Sequence, residues 1–417
     1  MTRALTVWWE GAVVGSLTAN RHGAMRFAYD ADWLADPATP ALSVSLPRRP
    51  EPFPPRQCRP FFEGLLPEGA QRDAVAAALG VSRANEFRLL ARLGGEVAGA
   101  LALWPAGETP PRFEAAGPTS GLADDELAAL LARLDARPFL AGTRGLRLSL
   151  AGAQSKLPVV LLHGHIALPA LGQPTTHILK PPIARLAATT ENEAFAMRLA
   201  ATLGLDAAPV EPYVAAGRAC LLVTRYDRRQ GPDGAVRRLH QEDFCQALGI
   251  VADRKYASDG GPGFRQCFEL VRRACSRPAV EVLKLLDAAI VQVLLGNADA
   301  HGKNYSLLHR DGRVKLAPLY DLLSTVAYPD LSPNFAMRIA RRASLEDMRR
   351  GDWDRFATNV GLGAPFVRRR VRELADLALV QATAVAAELA RPGLDENALA
   401  RGAERVSNRA RRLALTV

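Results

Sequence analysis

An α+β fold of more than one unit is predicted by three features of the chain. Strand-like runs crowd the first 240 residues, helical periodicity dominates from about residue 240 onward, and a stretch rich in Pro, Gly and Thr at 105–121 marks a boundary. Hydrophobic residues make up 48% of the 417 and charged residues 23%, which excludes a wholly disordered chain.

The elements follow in order. Residues 3–18 read as two strands around a turn at Glu10-Gly11, and Met25–Tyr29 as a third. Prolines at 47, 50, 52, 54, 55 and 60 predict an extended loop over 47–60. Residues 70–93 carry apolar side chains at helical spacing with a break at Gly80-Val81-Ser82, Gly94 to Trp104 returns to strand, and 123–136 is an Ala/Leu helix. A second unit starts near 145. Leu146–Leu150, Leu157–His163 and Thr176–Lys180 are strand-like, Thr190–Leu203 is a helix ending at Gly204, and Glu211–Tyr226 holds two strands around Ala216-Gly217. Helices are expected at 241–248, 264–275, 279–295, 345–359 and 364–391. The domain division is therefore 1–105, a linker and helix over 106–144, a strand-rich unit over 145–240, and a helical unit over 241–417.

No stretch approaches the roughly 18 apolar residues of a membrane span. The best, Leu285 to Gly296, is interrupted by Asp287 and Gln292. Glu10 lies within the first apolar run, so the N-terminus does not read as a secretory signal. Five cysteines with no C-x-x-C pair read as reduced thiols of a cytoplasmic protein. The net charge of +10 favours an anionic partner such as nucleic acid or phosphate. Only six of the 53 basic residues are lysines, so each Lys is a candidate for a place where a compact ammonium is needed. The Arg-rich runs Arg368 to Arg372 and Arg401 to Arg412 read as solvated helix faces, with a nucleic-acid surface as the alternative.

The strongest local signal is the segment from Gly296 to Leu308, in which Asp299 and Asn304 stand five apart after an apolar helix. Phosphoryl transfer needs a carboxylate beside the acceptor hydroxyl and an oxygen ligand for a metal, and the protein-kinase catalytic loop supplies both at this spacing. Alone, the pattern is weak and a helix-capping turn explains it. Downstream, Asp321 sits in Leu316–Leu323, which reads as an apolar strand, where a kinase places its second metal-binding Asp. A carboxylate buried among Leu and Tyr is costly unless paired or metal-bound. Upstream, Lys180 ends a strand, and Glu191 and Glu193 open the next helix. Glu193 is the better ion-pair partner for Lys180, with Glu191 a first-turn charge favoured by the helix dipole. Before these comes Ser149–Lys156, whose small residues let backbone N–H groups approach phosphate oxygens. Small-residue loop, strand Lys, helix Glu, D-x-x-x-x-N loop and metal Asp is the order of a protein kinase.

Taken together, the chain resembles the HipA family of toxin kinases from bacterial type II toxin–antitoxin systems. The resemblance rests on Val14-Gly15-Ser16-Leu17 with Leu42–Pro47, Phe61–Pro67, Ser149–Lys156, Thr175–Lys180, Thr224–Arg229, Gln241-Glu242-Asp243, Lys255–Gly263, Asp299–Asn304 and Tyr320-Asp321, in family order. It implies a bilobal protein-kinase-like α+β fold with an extra N-terminal α/β subdomain and a helical C-terminal lobe. It implies an ATP- and Mg²⁺-dependent serine/threonine kinase with Asp299 catalytic and Asn304 and Asp321 on Mg²⁺. Lys180 would contact the ATP phosphates beneath the loop Ala151, Gly152, Ala153, Gln154, Ser155 and Lys156. Thr224, Arg225 and Tyr226 would form the hinge against adenine, with His301, Lys303 and Tyr320 also lining the nucleotide site. Ser149 matches the serine that such kinases autophosphorylate. Ser155 stands where an acidic residue is common, and Thr224 replaces a common Glu. The implied protein substrate is an aminoacyl-tRNA synthetase, glutamyl-tRNA synthetase foremost. The implied partner is a small helix-turn-helix antitoxin, HipB-like, through which operator DNA is bound. Arg338, Arg341 and Arg342 are candidate phosphate contacts, against a solvated surface. Two other readings stay open: a small-molecule kinase of aminoglycoside-phosphotransferase type, and a catalytically idle DNA-binding co-repressor.

Overall fold

The structure is a computed structural model that describes residues 3–111, 120–134, 136–143 and 145–417. Part of the expected linker, 112–119, therefore lies outside the described residues. The chain forms two compact units, one of residues 1–181, 224–253 and 308–310, the other of residues 182–223, 254–307 and 311–417.

The first unit opens with β1 (Arg3–Trp9) and β2 (Ala12–Ala19), antiparallel across Glu10-Gly11. Both turn residues have positive φ, 49° and 88°, which matches the twist a two-residue hairpin needs. β3 (Met25–Tyr29) joins β2, and α1 (Ala31–Ala35) follows, capped by Asp30. The proline-rich stretch is not loop throughout: α2 spans Pro55–Glu63. Pro55 sits in the first turn, where no N–H is needed, while Pro60 lies inside the helix. An interior proline costs about 3 kcal/mol, and burying Cys58, Phe61 and Phe62 at about 1.5–3 kcal/mol for each large side chain offsets it. α3 (Gly69–Leu79) ends at left-handed Gly80, and α4 (Glu86–Leu93) starts from the Asn85 cap, as the Gly-Val-Ser break predicts.

The strand expected from Gly94 is shorter. β4 covers Leu101–Pro105 and pairs with β1, giving the order β3-β2-β1-β4. Residues 94–100 are diverted because Glu96 pairs its backbone with Arg147 and Ser149 instead. α5 (Asp124–Leu131) is also shorter than expected, with Pro138 close behind. Leu146–Leu150 is extended but is no strand; it makes one bridge, Leu148 to Glu96. β5 (Leu157–Leu162) pairs antiparallel with β6 (His165–Ala167) and β7 (His177–Lys180).

In the second unit α6 (Thr189–Thr202) is followed by the hairpin of β8 (Val210–Ala215) and β9 (Arg218–Thr224), turned at Ala216-Gly217. The chain then returns to the first unit for β10 (Arg228–Gln230), β11 (Val236–Arg238), β12 (Gln241–Asp243) and α7 (Phe244–Leu248). The expected helix 241–248 starts only at Phe244, because Asp243 is its N-cap in a capping box with Gln246.

α8 (Phe264–Ala274) and α9 (Pro278–Leu295) precede β13 (Ser306–Arg310) and β14 (Arg313–Leu316). α10 covers Asp352–Val360, not 345–359: Gly351 has φ 85°, and Asp352 accepts the Arg349 N–H at 2.8 Å, which closes a turn ahead of the helix. α11 (Ala364–Leu389) and α12 (Glu396–Ala414) finish the chain. α9 is apolar nearly all round and buried, and its Asp287 is answered by a two-pronged bond from Arg370 at 2.7 and 2.9 Å.

The core of this unit gathers Trp353, Phe356 and Phe268 with Leu285, Leu286, Val371 and Leu374. Arg409 departs from the solvated-face reading of 401–412. It is buried and gives two bonds to the Val293 carbonyl at the end of α9, at 3.1 and 2.9 Å. Arg338 and Arg341 are exposed, whereas Arg342 is half-buried and bonded to Asp352 at 2.9 Å. The five cysteines are buried free thiols. Among the described residues no helix is long and apolar enough to cross a membrane.

Candidate active site

The second unit builds the D-x-x-x-x-N loop on the end of α9. Gly296 closes that helix in the left-handed region, and the chain then folds on itself. The Ala298 N–H donates to Thr325 Oγ1 at 2.7 Å, the Asp299 N–H to Asn297 Oδ1 at 3.0 Å, and the His301 N–H to Asn304 Oδ1 at 3.0 Å. The Lys303 N–H donates to His301 Nδ1 at 3.3 Å, and Tyr320 Oη to the Lys303 carbonyl at 2.7 Å. Ser306 Oγ and Tyr320 Oη lie 2.7 Å apart. Asn304, His301 and Lys303 are buried while Asp299 is exposed, so a fixed loop presents one carboxylate outward.

Asn304 Nδ2 donates to Asp321 Oδ2 at 3.1 Å. The structure thus brings together the two residues that spacing alone could only nominate. Two features of Asp321 correct the sequence reading. It is not on a strand, since β14 ends at Leu316, and it is half-buried, not buried. Leu319 is held by backbone bonds to Asp206 (2.7 Å) and Ala208 (2.8 Å), and two residues later Asp321 turns at φ 60°. That left-handed conformation costs most residues about 1 kcal/mol; Asp and Asn tolerate it best.

α6 contributes a residue the sequence reasoning missed. Asn192 Nδ2 donates to the Ser324 carbonyl at 2.9 Å, and the Ser324 N–H donates back to Asn192 Oδ1 at 2.8 Å. The pair fastens α6 three residues beyond Asp321. An Asn in a helix interior, where its propensity is poor, is the signal that could have pointed to it. Glu193 is buried on the same helix. Glu191 is in the first turn, as expected, and its Oε1 also accepts the Asp395 N–H at 3.0 Å.

The first unit holds the small-residue loop. Leu148, Ser149 and Leu150 are all buried, so Ser149 does not lie on a solvent-facing side of the segment. The Ser149 N–H donates to the Glu96 carbonyl at 2.9 Å, and Ser149 Oγ to the Leu65 carbonyl at 2.7 Å. Further along, the Glu68 N–H donates to the Gly152 carbonyl at 3.1 Å and Gln71 Nε2 to Ser155 Oγ at 2.9 Å. Residues 65–71 therefore form a seat for 149–155. Gly152 has φ 109°, and a Cβ there would stand 2.6 Å from Lys156 Nζ, which bonds the Ala151 carbonyl at 2.8 Å. The positive φ is what favours glycine here, since the ammonium stands at the end of a flexible side chain. Gln154 Nε2 reaches the Pro181 carbonyl at 3.4 Å, and Lys180 is buried at the end of β7.

Arg225 lies in a buried ionic network that the sequence did not disclose. Its guanidinium bonds Asp227 at 2.9 and 2.7 Å, Thr175 Oγ1 at 2.9 Å and Glu96 at 3.3 Å. Glu96 also takes Arg228 Nη2 and Arg238 Nη2, both at 2.5 Å, and the Thr175 hydroxyl at 2.8 Å. Burial alone would raise the Glu96 carboxyl, but the guanidiniums of Arg228, Arg238 and Arg225 outweigh it and hold the group down at about 2. Tyr226 Oη donates to Gln241 Oε1.

Residues 5–104 match the HipA N-terminal domain and residues 148–383 the HipA-like C-terminal domain. A protein of Sinorhizobium fredii named "Putative kinase Y4mE" is 55% identical over 100% of this chain and 99% of its own length. The serine/threonine-protein kinase toxin HipA of Shewanella oneidensis is 34% identical over 67% of this chain and 66% of its own. A chain of the Shewanella oneidensis MR-1 complex of HipA, HipB and operator DNA superposes with a TM-score of 0.85 at 27% identity, covering 98% of this chain and 97% of that one. The fold is the α+β, kinase-like one. The chain belongs to the HipA family of kinases.

Proposed function

We propose that this chain is the toxin of a type II toxin–antitoxin pair, a serine/threonine kinase that uses Mg-ATP. The observation that carries the reading is the Asn304–Asp321 contact on the loop that presents Asp299. Carboxylate and amide oxygens are the hard donors Mg²⁺ takes, so the pair fits that ion. Among the described residues no three His, Cys, Asp or Glu side chains converge as a metal site, so phosphate and water would complete its shell. When bound, the ion would neutralise charge on the transferring phosphoryl group. Asp299 orients the acceptor hydroxyl, and Lys180 and the loop from Ala151 to Lys156 hold the phosphates. Glu193 pairs with Lys180, and His301, Lys303 and Tyr320 line the nucleotide. Thr224, Arg225 and Tyr226 meet adenine, Arg225 by its backbone because its guanidinium is engaged in the ionic network. The substrate in this reading is an aminoacyl-tRNA synthetase, glutamyl-tRNA synthetase foremost, in the cytoplasm. A HipB-like helix-turn-helix antitoxin is the partner and carries the contact with operator DNA. The resemblance of the whole chain to the HipA of a HipA, HipB and operator DNA complex supports both partners.

Expression in bacteria without the antitoxin is expected to slow growth, and co-expression of the antitoxin to relieve it. Growth arrest that survives Asp321→Asn would count against kinase toxicity.

Ser149 is proposed as the autophosphorylation site. Its hydroxyl is buried against Leu65, where a phosphate of about −1.5 to −2 charge has no room. Modification requires 149–155 to leave the seat formed by 65–71, after which the loop cannot return over the ATP phosphates. Mass spectrometry after incubation with Mg-ATP is expected to find phosphate on Ser149 in the wild type and none in Asp299→Asn. Exclusive modification of Ser155 overturns this.

A further inference from the structure

Tyr256 lies in the second unit within the Lys255–Gly263 motif, to which no role has been attached. Its Oη donates to Asp299 Oδ1 at 2.7 Å. The segment that carries it is pinned on several sides. The Gly302 N–H donates to the Lys255 carbonyl (3.4 Å), and the Tyr256 carbonyl accepts the N–H groups of Asp259 (3.0 Å) and Gly261 (2.8 Å). The Ala257 N–H donates to the Ala336 carbonyl (3.4 Å), and the Ala336 N–H donates back to the Ala298 carbonyl (2.8 Å), next to Asp299. The tyrosine ring stands edge-on to the His301 ring at 5.1 Å, and Lys255 Nζ is 5.4 Å from its centroid. An aspartate has two soft side-chain torsions, and a phenol held this firmly on one oxygen restricts them.

We infer that Tyr256 is a positioning residue for phosphoryl transfer: by holding Oδ1 of Asp299 it contributes to aiming the carboxylate that takes the acceptor hydroxyl. This rests on Asp299 being the acceptor-orienting carboxylate. A phenol is a one-proton donor at neutral pH, so it orients the carboxylate without competing for the acceptor's proton. The effect belongs to the chemical step and not to nucleotide binding, since misplacing a reacting group by about 1 Å is worth roughly 100-fold in rate.

The test measures initial rates of γ-phosphoryl transfer from Mg-ATP into the full-length protein for wild type, Tyr256→Phe and Asp299→Asn, with melting temperatures. Tyr256→Phe is expected to lower kcat by roughly 10- to 100-fold while the KM for ATP stays within about twofold and the protein melts with the wild type. An unchanged kcat overturns the inference. A raised kcat also overturns it, because the phenol would then be blocking the acceptor site. A rise in KM accompanied by a lower melting temperature, or failure to fold, makes the residue structural and overturns it too. Wild-type turnover by Asp299→Asn would instead overturn the reading of Asp299, and the two failures are distinct.

Discussion

The Asp299→Asn and Asp321→Asn proteins are expected to fold as the wild type does and to lose phosphoryl transfer by roughly 10²- to 10⁴-fold each. Asn keeps the size of Asp299 and still accepts from Tyr256, but it no longer offers a carboxylate to the acceptor proton. At position 321 the amide oxygen still accepts from Asn304 Nδ2, while the charge a divalent cation needs is gone. Asn is chosen there for a conformational reason. Asp321 has φ 60°, which Asn tolerates, whereas Ala adds about 1 kcal/mol of strain and would mix a stability loss with a chemical one. Thermal melts beside transfer assays decide: inactive proteins with wild-type melting support both roles, and substantial turnover by either refutes its own.

Glu96→Gln is expected to be the most damaging single change to stability outside the apolar core. In the wild type Glu96 and Asp227 face Arg225, Arg228 and Arg238, all largely buried. Removing one carboxylate leaves three guanidiniums against one, and breaking a buried pair this way costs about 3–5 kcal/mol. The pH dependence has a definite sign. The folded carboxyl sits at about 2, below its ordinary 4.5, so the unfolded chain takes up the proton first as pH falls. The advantage of wild type over Glu96→Gln should be constant above pH 4.5 and shrink between 4.5 and 2. Denaturant melts of both proteins across that range test it, and equal stability at neutral pH would refute it. Because the Glu96 backbone also holds Ser149 and Arg147, the variant should expose the loop from 149 to 155 to proteases.

What was legible in the sequence was whatever chemistry or local geometry demands by residue type. Glu10-Gly11, Gly80 and Ala216-Gly217 announced their turns because few residues accept positive φ. Asp299, Asn304 and Asp321 stood out as candidates because a metal and an acceptor hydroxyl would need oxygen ligands in this order. Pro60 misled, because a local rule against interior proline was overridden by burial of the phenylalanines beside it. Asp321 was assigned to a strand, because an apolar run looks the same whether or not a partner strand is there to pair with it.

The sequence by itself determined the α+β class, the family and the roster of candidate residues, since each depends on residue identity and near-neighbour spacing. Tertiary structure alone decided the partners: Asn192 with Ser324, Glu96 with three arginines, Gln71 with Ser155, and Tyr256 with Asp299. Each of these pairs joins residues 43 or more positions apart. The physical reason is that a hydrogen bond or ion pair forms over about 3 Å of space whatever the length of chain between its ends, so only the folded backbone decides which groups meet.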